Sequence, residues 1–132
     1  LIALAGLLTV AWGMVFSLSY LEAAMHYTAA ENEIRLWDRP GYAPSGEAVS
    51  EALQYLDSAI ELWPDYPDYR VMRAHALEWR AYWSQDGADE GYYLAAALQD
   101  LDVALAARPA DRRGRAMRDR HAARVEALRA LD

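Results

Sequence analysis

Apolar positions divide the chain into one long uncharged run and four shorter amphipathic stretches. Residues 1–21 (LIALAGLLTVAWGMVFSLSYL) carry no charge, and Glu22 is the first charged residue. At ~1.5 Å per helical residue the run reaches roughly 31 Å, about one hydrocarbon core. It predicts a membrane-spanning or hydrophobic stem helix, with Leu4, Leu8, Trp12, Val15 and Phe16 in the apolar medium and Tyr20 and Tyr27 at the downstream boundary. A cleaved signal peptide and a buried core helix are the alternatives for the same run. Helical spacing then continues through Leu21, Met25, Ala29, Ile34 and Trp37 without Pro or Gly, so residues 22–38 read as a stalk continuing the stem. Asp38-Arg39-Pro40-Gly41 ends it, and residues 39–46 read as a linker.

Residues 47–132 read as an all-α domain. Ser45 can cap a helix whose stripe is Val49, Ala52, Leu53, Leu56, Ile60 and Trp63. Pro64 and Pro67 punctuate, with Asp65 or Tyr66 near the next cap, and a second helix runs to about Trp83 with Tyr69, Met72, Ala76 and Trp79 inward. Residues 84–91 (SQDGADEG) predict a polar loop. A third helix carries Leu94, Leu98, Leu101 and Leu105, and a fourth, from about Asp111, carries Met117, His121, Val125 and Leu128. A shift of 45 residues brings Ala52-Leu53-Gln54-x-Leu56-Asp57-x-Ala59 onto Ala97-Leu98-Gln99-x-Leu101-Asp102-x-Ala104, Pro64 onto Pro109, and Arg70-x-Met72-Arg73 onto Arg115-x-Met117-Arg118. Ten identities over 22 positions describe an α-hairpin used twice, a unit that buries its stripe only by stacking. Its expected core is Leu53, Leu56, Ile60 and Met72, then Leu98, Leu101, Leu105 and Met117.

Composition removes most catalytic chemistry. The chain has no Cys and no Lys, so thiol chemistry, Schiff bases and a phosphate-loop lysine are excluded, and no glycine-rich phosphate loop occurs. His26, His75 and His121 are far apart; His75 and His121 fall near apolar helix faces and read as satisfied structural histidines. The acidic groups Asp65/Asp68, Asp86/Asp89/Glu90 and Asp100/Asp102 read as turn or surface carboxylates without partners. Residues 86–90 lack the ligand ladder of a calcium loop. Neither a cofactor nor an enzymatic activity is expected.

Charge is segregated along the chain, with a balance of −11 over residues 1–107 and +4 over residues 108–132. Arg112, Arg113 and Arg115 therefore read as a surface for an acidic partner or an anionic polymer, or for self-association of the basic last helix on the acidic flank of another copy. The alternative is a solvated helix whose arginines pair with Asp111, Asp119 and Glu126. The acidic bulk argues against nucleic acid. Trp79, Tyr82, Trp83, Tyr92 and Tyr93 bracket the 84–91 stretch and read as a protein or glycan contact, against an alternative of core and turn packing.

The stretch ALQYLDSAIELWPDYPDY, with small residues at Ala52 and Ala59 and Pro just past the helix, resembles the second helix of a tetratricopeptide (TPR) unit. Its period exceeds the usual ~34 residues, an excess assigned to the 84–91 loop. Over a longer stretch the chain is similar to VpsP-type polysaccharide-biosynthesis proteins of bacteria: an anchor running into a stalk, a Pro-ended helix, and Pro67-Asp68-Tyr69 leading to Glu78-Trp79-Arg80. It departs from them after Pro109, reading Ala110-Asp111-Arg112-Arg113-Gly114. The resemblance implies a non-catalytic, membrane-anchored scaffold of the bacterial inner membrane acting in exopolysaccharide synthesis or export, with protein partners on its TPR-like surface. Residues 22–35 lack a basic flank, which favours a periplasmic soluble part. Two other readings fit the same pattern: a single-span accessory subunit of a larger membrane complex, and a pilin-like subunit of an extracellular filament. The pilin reading lacks the early acidic stem residue, since position 5 is Ala.

Overall fold

The structure, a computed structural model, describes the backbone of residues 2–131 and the side chains of residues 11–131. Those residues form five helices and no strand: α1 (Ile2–Trp37), α2 (Gly46–Leu62), α3 (Pro67–Tyr82), α4 (Gly87–Ala107) and α5 (Arg112–Arg129). The all-α class stands, and each helix boundary has a local cause. Pro40 stops α1, and Gly41 turns the chain at φ +80°, a left-handed conformation that costs glycine little. Ser45 Oγ accepts from the Ala48 amide at 3.1 Å, and Pro67 opens α3 where an amide would be unsatisfied in any case. Asp111 Oδ1 accepts from the amides of Arg113 and Gly114 at 2.9 and 3.1 Å.

The expected loop at residues 84–91 is a correction. Helix α4 starts inside it, because Asp86 Oδ1 accepts from the Ala88 amide at 3.0 Å while Asp89 and Glu90 complement the positive end of the helix. The acidic, glycine-containing stretch is a first helical turn. Gly87 and Gly91 sit where an added Cβ would meet Leu128 at 3.9 and 4.0 Å. The extra length of the repeat therefore resides in α4, at 21 residues the longest helix of the repeated pair.

A second correction concerns the stalk. Residues 22–38 do not hold the body away from anything; they are part of it. Ala23, Ala30, Ile34 and Trp37 are buried, and Ala30, Ile34 and Trp37 share a core with Val49, Ala52, Leu56 and Ala76. Ala23 joins Ala59, Ile60 and Tyr69. Alanines on both helices let α1 and α2 approach closely, and Trp37 fills the wider end. Core formation thus begins near residue 23, and the 39–46 segment is a turn within one unit.

Each helix packs on the one before and the one after, and α1 also touches α3. Farther along, Ala74 and Leu77 meet Ala97, Leu101 and Met117, while Ala81, Leu94 and Val125 close the distal end. Of the expected repeat core, Leu56, Ile60, Leu101 and Met117 are buried. Leu53, Met72, Leu98 and Leu105 are half-buried at the seams. Leu56 and Leu101 are fully buried together with Val49 and several alanines, whose small side chains let the helices pack closely.

The 45-residue repetition recurs in the backbone and in its ion pairs. Trp63 and Arg108 end their helices with similar angles (φ −138°, ψ 80° and φ −132°, ψ 74°) and donate to Ala59 and Ala104. Arg73 pairs with Asp57 at 2.7 Å, and Arg118 with Asp102 at 2.6 Å.

Candidate functional site

Three surfaces could meet a partner. The first is the upstream part of α1. Trp12, Met14, Val15, Phe16, Leu18 and Leu21 are all more than half exposed, and they point around the helix instead of along one face. Soluble monomers rarely leave so large an apolar surface in water. Ser17 and Ser19 donate to the carbonyls of Gly13 and Val15 at 2.8 and 3.0 Å, so neither hydroxyl needs an outside partner. Among the described residues no helix is long and apolar enough to cross a membrane. Of the residues assigned to the span, Trp12, Val15 and Phe16 are exposed, and the side chains of Leu4 and Leu8 lie outside the described residues.

The second surface is a groove floored by α3 between α1 and α5, with a cavity of about 260 Å3 lined by Tyr27, Glu31, Asp68, Met72, His75 and Arg113 among others. Burial, with Glu31 and Asp68 nearby, pushes the Tyr27 hydroxyl up to about 12. It is therefore a neutral hydrogen-bond donor at physiological pH and no general base. His75 Nε2 lies 3.4 Å from Asp38 and Arg113 3.7 Å from the same carboxylate, bringing the end of α1 toward α3 and α5. The buried His121 Nε2 makes no hydrogen bond among the described residues, so it is not the satisfied histidine expected, whereas His75 lies between the carboxylates of Asp38 and Glu78, at 3.4 and 3.7 Å. Their neighbour Glu78 sits below the usual carboxylate range through His75, with His121 and Arg120 adding to the effect. No group of three His, Asp or Glu among the described residues could hold a metal.

The third surface is the aromatic and basic set singled out in sequence, in which Trp79, Tyr82 and Trp83 pack edge-on in a row at 5.5 and 5.4 Å and Tyr92 packs edge-on against Tyr93 at 5.4 Å. Trp79 packs edge-on to Trp37 at 6.5 Å, and the Trp83 indole donates to the Pro44 carbonyl at 3.0 Å, tying α3 to the turn before α2. Tyr93 is half-buried under the Arg80 guanidinium, 5.6 Å from its ring centre. Tyr82 and Tyr92 are the most exposed of the five, at 69% and 71%. Arg112 and Arg115 are exposed without an ion pair among the described residues, whereas Arg113 turns to Asp38.

Much of the basic C-terminal charge is consumed within the chain. Arg108 pairs with Asp68, Arg118 with Asp102, Arg120 with Glu78 and Arg124 with Glu90. The expected partners Asp111, Asp119 and Glu126 are not the ones used. Segregation along the sequence becomes pairing in space, because α5 lies back across the acidic helices.

Sequence reasoning also missed a buried charge. Asp100, read as a surface carboxylate, is 1% exposed and receives Arg70 at 2.9 Å and two nitrogens of Arg73 at 2.7 and 2.8 Å. The Asp100 contact is the main reason the Arg73 guanidinium holds its proton more tightly than usual. Arg70 also donates to the Pro64 carbonyl at 2.7 Å, so this cluster joins two helices and a turn. The signal was available as Arg70 and Arg73 on one helical face.

No family model matches the chain, nor does any characterised protein or solved structure. Function must be argued from the molecule itself.

Proposed function

We propose that the protein is a non-catalytic, membrane-attached helical adaptor. The apolar upstream part of α1 inserts into a bilayer, and the stacked body of α2–α5 presents the α3 groove to a protein partner. The observation that carries this reading is the ring of exposed large apolar side chains from Trp12 to Leu21 on a helix whose downstream half is packed. The uncharged sequence ahead of Glu22 supports it. The resemblance to TPR units and VpsP-type proteins extends the reading to the bacterial envelope, with exopolysaccharide assembly as the process served. Vesicle flotation of the purified chain tests attachment. Co-flotation that survives alkaline carbonate is expected, and a chain that remains soluble and monomeric without lipid overturns the reading.

A further inference from the structure

The connection between α2 and α3 reaches back along α1 into its uncharged part. The Trp63 ring packs edge-on against Phe16 at 5.0 Å and Tyr20 at 5.7 Å. Both contacts lie upstream of Glu22, the first charged residue. At ~1.5 Å per residue, Tyr20 is roughly 3 Å and Phe16 roughly 9 Å beyond Glu22 along the axis. If Glu22 stays on the water side, Trp63 falls in the layer between water and hydrocarbon, which is about 5–7 Å thick.

From this geometry we infer that the α2–α3 connection, residues 63–66, is a second membrane contact that rests in the headgroup layer of a zwitterionic bilayer. The inference rests on the membrane reading of α1. The chemistry of the connection suits that layer. Leu62, Trp63, Pro64 and Tyr66 line a cavity of about 350 Å3 with Phe16, and Trp and Tyr are the side chains that favour the membrane interface. The neighbouring α4–α5 connection adds Pro109 and Ala110, uncharged and exposed, and its Arg108 is neutralised by Asp68. Glu61 and Asp65 are exposed beside Trp63, and the cation that reaches this connection, Arg70 at the Pro64 carbonyl, is paired with Asp100, so anionic lipid is repelled and zwitterionic lipid is selected. Two contacts, one deep and one shallow, fix the tilt of the body, which a single flexible anchor would not.

The absence of cysteine gives a direct test. Single cysteines are introduced in the full chain as Pro64→Cys, Gln85→Cys and Trp12→Cys, with Asp65→Cys as a second exposed probe should Pro64→Cys lose helix content. Each is reconstituted in phosphatidylcholine vesicles and reacted with a membrane-impermeant maleimide. The expected result is a protected position 12, fast labelling at 85 on the opposite end of the body, and labelling at 64 or 65 about tenfold slower than at 85. A position 64 or 65 as reactive as 85, with position 12 protected, overturns the shallow contact and leaves the anchor intact. Full reactivity at position 12 overturns the anchor reading, and the shallow contact with it. Because the vesicles hold no other protein, slow labelling at 64 reports lipid and not a partner chain.

Discussion

At the scale of single residues, the most consequential group is a carboxylate on a helix that reads as apolar. Asp100 is closed off from water and held by both Arg70 and Arg73. Removing it takes the shared carboxylate from two partly buried guanidinium groups, leaving Arg73 only Asp57 and Arg70 only the Pro64 carbonyl, and Asp100→Ala is expected to cost about 3–5 kcal/mol in urea unfolding. A loss below ~1 kcal/mol would show that the arginines find water instead. The buried histidine of α5 sets a pH dependence. Burial holds the His121 imidazole below its ordinary value, and Glu78 is likewise depressed, by His75 first. For both groups the unfolded chain takes up a proton at higher pH than the folded one. Stability is therefore complete above the unfolded values and lost on acidification, starting below about pH 6.5 for the histidine and about pH 4.5 for the carboxylate. His121→Phe should flatten the decline in melting temperature between about pH 7 and pH 5.5, and an unchanged slope would assign it to other groups. Arg70 and Arg73 on one face signalled a carboxylate partner in sequence, but Asp100 could not be picked out as that partner, because spacing shows only which face a residue occupies. The identity of the facing helix, which makes that face a charged interior, is a tertiary fact.

At the scale of elements, periodicity and punctuation located all five helices, since prolines, glycines and capping side chains act locally. They misjudged residues 84–91, where glycine and acidic residues signal a loop in isolation but form a capped first turn once Gly87 and Gly91 lie against Leu128. They also misjudged α1. An uncharged run followed by an amphipathic one suggests an anchor and a free rod, yet small Ala23 and Ala30 are an interface signature, and that face finds α2. A chain beginning at residue 22 should melt cooperatively, whereas one beginning at residue 39 should lose Ile34 and Trp37 from the core and show no cooperative transition by circular dichroism. Cooperative melting of the shorter chain would return α1 to the role of a tether.

At the scale of the whole molecule, the two ends of the stack differ. On α3, Ala74, Leu77 and Ala81 form the face that receives α4. The repeat places Asp119, Ala122 and Glu126 at the same positions of α5, and that face is polar, with no helix packed on it among the described residues. A face of a stacked repeat that no neighbouring helix covers stays soluble when it is polar. Restoring the inner register with Asp119→Ala, Ala122→Leu and Glu126→Ala should drive concentration-dependent association, read by sedimentation velocity of the chain from residue 22 onward. A strictly monomeric triple variant would mean that shape, not polarity, closes the stack.

The connections between helices carry one more consequence. Lysine is absent, and the only arginines in those connections are Arg39 and Arg108. Each is followed directly by proline, the one residue that blocks trypsin-type cleavage on its amino side. The bonds most open to nicking in a folded chain thus offer such a protease no usable substrate, and digestion must wait for a helix to fray.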